Sequence, residues 1–274
     1  MTTPLHAATA SSNGKTELAP FVAPAPASPW RGFGRLTWMS LYKVLTNPYN
    51  LGFSLALPIV IYLMFGVGKD YSDTWVGHGN VASSILASMA LYGVMLTSSS
   101  LGANVSLERS NGVSRLFALT PISTVAQIVA RLTAAFFLSA VTILITYSIG
   151  YATGSRMEPL VWLMTGALIV VASTMASAIG LAAGFAVRTD GAFSASSMVI
   201  LIGAFLSGMF LPLDQMGSFF QTIAPYAPLY GPLQLVMSPI YGAEIKAWWI
   251  VSLVAWMLFF VAIAVWGQRR DTAR

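Results

Sequence analysis

Six apolar runs follow one another along the chain, at Asn50–Val67, Val81–Asn104, Thr124–Tyr151, Pro159–Val187, Gly191–Leu213 and Ala247–Gly267. Each is close to the roughly 20 residues with which an α-helix crosses the hydrocarbon core of a bilayer. The runs are continuous instead of alternating over about ten residues, which excludes barrel strands and leaves helices, the form in which a single segment satisfies its own backbone in lipid. The pattern predicts an all-α polytopic membrane protein with six transmembrane helices.

Two other patterns precede the first run. Residues Trp30 to Thr46 interleave aromatic and aliphatic side chains with Arg31, Arg35 and Lys43 at helical spacing, which predicts an amphipathic helix lying in the membrane surface. A soluble amphipathic helix is the alternative, with little to pack on. Residues 1–29 are rich in Ala, Pro, Ser and Thr, with prolines at 4, 20, 24, 26 and 29, and read as a disordered tail ahead of a transmembrane domain over 30–274. The tail lacks the basic start, compact apolar run and cleavage site of a secretory signal. Its Gly14-Lys15-Thr16 resembles the end of a phosphate-binding loop, but Thr9 stands where the loop needs its first glycine, so no nucleotide site is expected in this chain.

Composition sharpens this reading. The 274 residues are 56% hydrophobic and 8% charged, against about 45–50% and about 25% in soluble domains. A net charge of +5 from so few charges cannot line a nucleic-acid groove, so no nucleic-acid partner is expected. With the amino terminus inside, Lys15, Arg31, Arg35, Lys43, Arg109, Arg115, Arg131, Arg188, Arg269, Arg270 and Arg274 fall on the inner side and Lys69, Arg156 and Lys246 on the outer. That bias predicts a multi-pass protein of the cell inner (plasma) membrane with both termini cytoplasmic. The absence of cysteine removes disulfides, thiolate metal sites and cysteine nucleophiles. His6 and His78 stand apart without ligand company, so no metal site is expected. No His/Glu or Ser/Asp constellation in the spans suits an intramembrane enzyme.

Three regions carry candidate mechanism. Leu107–Ser123, between spans two and three, sets Glu108, Arg109 and Arg115 beside Leu116, Phe117 and Leu119 and stops at Thr120-Pro121. It suits either a short helix docking on a soluble partner or a plain loop carrying positive-inside charge. Phe210–Tyr241 is apolar and aromatic but broken by Pro212, Pro225, Pro228, Pro232 and Pro239, consistent with short re-entrant or interfacial helices that cap the outer end of a pathway. Spans two and five are the most polar. Tyr92, Met95, Ser99 and Asn104 in one, with Ser197, Phe205 and Met209 in the other, either line an amphipathic route or bond back to their own helices. Ala176, Gly180 and Gly184 in span four read as helix packing. No span holds a buried acid and Arg131 reads as an interface anchor, which leaves ion-driven transport without its usual mid-membrane carboxylate.

Glu108-Arg109, Gly112 and Thr120-Pro121-Ile122-Ser123, together with Gly208, Phe210-Leu211-Pro212-Leu213, Pro225, Pro228 and Leu229, resemble the two motifs of type-two ATP-binding-cassette (ABC) exporter permeases. The resemblance runs from about Trp30 to the end of the chain. It implies two six-span subunits forming a pore, an amino-terminal interfacial helix against the ATPase, and a coupling helix containing Glu108, Arg109 and Gly112, within the segment that continues through Arg115 and Phe117 to Pro121. It also implies an outer gate from Phe210 and Pro212 to Pro225 and Pro228. Ser110 stands where the family often repeats an acid, and Arg115 where another acid is common. No ATPase domain is fused, so the resemblance implies two copies of a separate ATPase subunit holding ATP and Mg. It implies equally a second permease copy, in a homodimer or heterodimer, and an amphipathic, drug-like or lipid-like substrate. A large external domain, the mark of the mechanotransmitting branch, is missing. A secondary transporter or channel is the alternative, separated by whether transport follows ATP or an ion gradient.

Overall fold

The computed structural model describes residues 30–112, 124–187 and 191–272. Within them run α1 (Phe33–Leu45), α2 (Pro48–Gly66), α3 (Val81–Ser110), α4 (Thr124–Ala152), α5 (Pro159–Ala186), α6 (Gly191–Leu206), α7 (Ser218–Ile223), α8 (Tyr230–Tyr241) and α9 (Ala247–Thr272). Single 3-10 turns occupy Leu213–Gln215 and Ala224–Tyr226. Two short strands, β1 (Trp75–Val76) and β2 (Gly79–Asn80), pair antiparallel with Trp75 opposite Asn80. The protein is an all-α polytopic membrane protein. Val81–Ser110, Val129–Ala152, Pro159–Ala186 and Ala247–Arg270 are long and apolar enough to cross a bilayer, while α2 has 19 residues and α6, also apolar, only 16.

Two helix ends differ from the hydropathy pattern. The second apolar run stops at Asn104, yet α3 continues to Ser110. Asn104 does not break it because its amide donates to the Ser100 carbonyl one turn back, at 2.9 Å. The fifth run reaches Leu213, yet α6 ends at Leu206. Gly208, at φ 81, takes the left-handed conformation that favours glycine and turns the chain out of the helix.

Helix α3 is the hub, with 83% of its apolar window buried against 28% for α9. It runs parallel to α5, joined at one end where the Ser106 hydroxyl donates to the Val187 carbonyl at 2.8 Å and at the other where Gly79 bridges Met157. It is antiparallel to α4, touching it through the Ser98 and Ser139 hydroxyls at 3.1 Å. The α3 and α5 backbones approach because Gly102, Gly180 and Gly184 present no side chain at the crossing. A Cβ on Gly184 would lie 2.7 Å from the Gly102 carbonyl oxygen, and one on Gly180 would overlap the Ser99 carbonyl.

The hairpin end of the bundle is pinned by two polar hubs. Asn80 caps α3 by accepting from the Ser83 amide at 3.0 Å, accepts from the Arg156 amide at 3.0 Å, and donates to the Gly154 carbonyl at 2.9 Å. The Tyr62 hydroxyl lies 2.8 Å from both Thr153 Oγ1 and Ser155 Oγ. At the opposite end α1 docks through Val44 on Leu101, Ala134, Ala135 and Leu138. Its Trp38, Met39 and Tyr42 stay exposed on the other side. The surface helix is therefore amphipathic with α3 and α4 to pack against.

Candidate functional site

The α1 end carries a cluster of charges on α1, α3 and α4. Glu108, in the last turn of α3, accepts from Arg131 Nη2 of α4 at 2.5 Å and pairs with Lys43 Nζ of α1 at 3.5 Å. The Glu108 and Arg131 side chains are 13% and 16% exposed, so their attraction is screened far less than a surface pair's. Arg109, the next residue, turns the other way. Its Nη1 donates to the Gly184 and Phe185 carbonyls at 3.0 and 3.3 Å, with the guanidinium over the Phe185 ring. A cation on the last carbonyls of a helix also favours its dipole. Adjacent residues of opposite charge thus tie α3 to α1 and α4 on one side and to α5 on the other. Gly112, at φ 71, ends the segment in the left-handed conformation.

The sequence singles out Glu108 and Arg109, but their partners lie 23 and 75 residues away and no local signal names them. Arg131 is the residue whose role changes: besides sitting near a helix end, it holds Glu108. Arg115, Phe117 and Pro121 lie outside the described residues, as does the tail over 1–29.

At the hairpin end, α2, α3, α8 and the segment 207–215 enclose a cavity of about 680 Å³. Met209, Phe210 and Pro212 form part of its wall, and Tyr92 stacks edge-on to Phe210 at 5.0 Å from within the core. The structure thus brings together four residues from two separate expectations, the substrate route and the outer gate. The others lie elsewhere. Met95 and Ser99 are buried, and the Ser99 hydroxyl donates to the Leu96 carbonyl of its own helix at 3.0 Å. Asn104 bonds back in the same way. Ser197 and Phe205 face outward on α6. The Pro225 carbonyl accepts from the Trp248 indole at 3.3 Å, and Pro228 packs beside Gly203. Sequence reasoning missed Ser84, Ser88 and Met237 of the cavity wall. They look like ordinary helix residues, and only the convergence of α3 and α8 reveals them.

A helical bundle of this hydropathy, with a buried polar lock at one end and an amphipathic cavity at the other, is that of a multi-pass membrane protein. The chain belongs to the ABC-2 family of transporter proteins, whose model matches residues 70–266. A relative from Bacillus subtilis (strain 168), provisionally named transport permease YvfS, is 26% identical over 243 residues, covering 84% of this chain and 94% of that protein. Membership makes the chain the membrane subunit of an ABC transporter, a permease that works with an ABC ATPase partner.

Proposed function

We propose that the chain is the permease subunit of an exporter in the plasma membrane. Two permease copies form the pathway for an amphipathic, drug-like or lipid-like substrate, and two separate ATPase subunits holding ATP and Mg supply the energy. The observation that carries this reading is the Glu108 cluster. A push on the segment after α3 reaches α1, α4 and α5 together, because Glu108 and Arg109 hold all three. The coupling element extends from Glu108 through Gly112 to Arg115, Phe117 and Pro121, and the segment from Phe210 to Pro228 forms the outer gate. Among the described residues the apolar stretches of the spanning helices hold no carboxylate besides Glu108, Asp271 falling beyond the span Ala247–Arg270, which favours ATP over an ion gradient.

In this reading all six apolar helices cross the membrane. Helix α2 begins beside α1 and ends with Gly66 beside Ile85 at the hairpin end. Helix α6 follows α5 and ends near Leu229, which packs on Gly203. Both helices join the two ends of the bundle, α2 with 19 residues and the shorter α6 with 16, and the segments after α6 are re-entrant. The basic bias places both termini in the cytoplasm.

Orientation is directly measurable because the chain has no cysteine. A membrane-impermeant maleimide on intact cells is expected to label Asp73→Cys but to label Arg31→Cys only after lysis; the reverse pattern inverts the topology. The energy source is read from inverted membrane vesicles of cells overproducing the permease and its ATPase. Accumulation of a lipophilic dye is expected to require ATP and to survive an uncoupler. Accumulation that an uncoupler abolishes and ATP does not restore would select the secondary-transporter alternative.

A further inference from the structure

The cavity at the hairpin end has a chemistry specific enough to name a ligand class. Its volume of about 680 Å³ lies inside the roughly 300–1,000 Å³ range of pockets that engulf small organic molecules. Ile61, Phe65, Ile85, Met89 and Met237 make its walls largely apolar. Set into these walls is Ser84, 6% exposed, whose hydroxyl finds no hydrogen-bond partner among the described residues. The hydroxyls of α3 nearby behave differently, Ser88 donating to the Ser84 carbonyl and Ser83 to the Asn80 carbonyl. An unpartnered buried hydroxyl is costly and rare, and Ser84 belongs to the cavity lining.

The charge of the ligand follows from the rim. Asp214 is the one residue with a formal charge in the cavity lining, and no lysine or arginine joins it. It stands on the 3-10 turn Leu213–Gln215, which is fixed because Gln221 Nε2 donates to the Leu213 and Met216 carbonyls at 3.0 Å each. Gly208 holds the start of the same segment, since a Cβ there would meet Leu213 Cγ at 2.7 Å. The rest of this end supports the same sign. Among the described residues it presents Asp70, Asp73, Glu158, Asp214 and Glu244 against Lys69, Arg156 and Lys246. Phe65, Phe210 and Tyr241 add aromatic faces to the lining, and such faces attract cations.

We propose that this cavity binds a monovalent organic cation with a bulky apolar body, the charge at Asp214 and the body between α2, α3 and α8. The inference deepens the exporter reading by naming a substrate class, and it rests on that reading only for transport. Binding itself is a property of the isolated chain.

The test uses two ions of the same shape and opposite charge, tetraphenylphosphonium and tetraphenylborate. Each is equilibrated by dialysis with the full chain in phosphatidylcholine nanodiscs, without ATPase or nucleotide, and binding to protein-free discs is subtracted. Saturable binding of about one tetraphenylphosphonium per chain is expected, with none for tetraphenylborate. Asp214→Asn is expected to weaken the cation roughly two- to fivefold, the scale of one partly exposed ion pair, and Asp214→Lys to weaken it further. Met237→Trp, filling the cavity, is expected to remove the saturable component. Asp214 is exposed, so its variants report on the site even if the Met237 variant fails to fold. Absence of saturable cation binding, equal binding of the borate, or an affinity unchanged by Asp214→Lys would overturn the proposal. None of these results touches ATPase association, so the exporter reading stands or falls separately.

Discussion

Gly180→Ala is expected to strip most of the folded protein from the membrane, although alanine is the better helix former by about 1 kcal/mol. The added methyl meets the Ser99 carbonyl group and Cα, all backbone atoms of the facing helix. A flexible side chain could rotate away; a carbonyl in the middle of α3 cannot, because α3 is packed on its other sides by α2 and α4. Forcing one methylene into a packed core costs about 1–3 kcal/mol when neighbours can adjust, and here the helices themselves must separate. We therefore expect a loss of about 3 kcal/mol or more, which outweighs the gain in helix propensity. The same helix provides the control. A Cβ on Gly166 would meet only the Ile143 and Tyr147 side chains at 3.8 Å, so Gly166→Ala is expected to be neutral or slightly stabilising. Thermal unfolding of the solubilised variants, followed by the loss of monodisperse protein, separates the two. Equal midpoints would show that the α3–α5 contact is loose.

The second large effect is expected at the Glu108 cluster. Glu108→Gln leaves the Arg131 guanidinium, 16% exposed, with a neutral partner. Removing one member of a buried pair costs about 3–5 kcal/mol and an exposed pair at most about 1. For a pair exposed to this small degree we expect about 2–3 kcal/mol, together with weaker stimulation of the partner ATPase. Glu108→Gln combined with Arg131→Gln is expected to recover part of the stability, because the charge left without its partner is then only Lys43, whose side chain is 49% exposed and hydrated. Lys69→Ala, exposed at the opposite end, is expected to be silent. If Glu108→Gln unfolds at the wild-type midpoint and stimulates ATPase activity normally, the cluster neither braces the helices nor transmits force.

How much of this was legible in the sequence depends on the range of the interaction. The apolar runs reveal the helices because hydrophobic length is written residue by residue. Gly180 and Gly184 likewise mark a close crossing from their spacing alone. The polar positions were harder. Ser99 and Asn104 carry groups that suit a substrate route, yet both bond to carbonyls three and four residues back, an option every helical hydroxyl or amide has. The Glu108–Arg131 pair is invisible to sequence neighbours because the antiparallel packing of α3 and α4, across 23 residues, sets its distance. The cavity escaped for the same reason, its wall being drawn from residues as far apart as Ile61 and Tyr241.

The central claim is that this chain is driven by ATP hydrolysed on another polypeptide. It is tested most directly by purifying the tagged chain from its native membranes in mild detergent and measuring bound polypeptides and ATP hydrolysis together. The account predicts a nucleotide-binding subunit at one copy per permease, in a complex with two of each, whose ATPase activity falls when Glu108 or Arg109 is replaced by alanine. A chain that purifies intact without any nucleotide-binding subunit, and still moves a lipophilic dye in proteoliposomes lacking ATP, would contradict it.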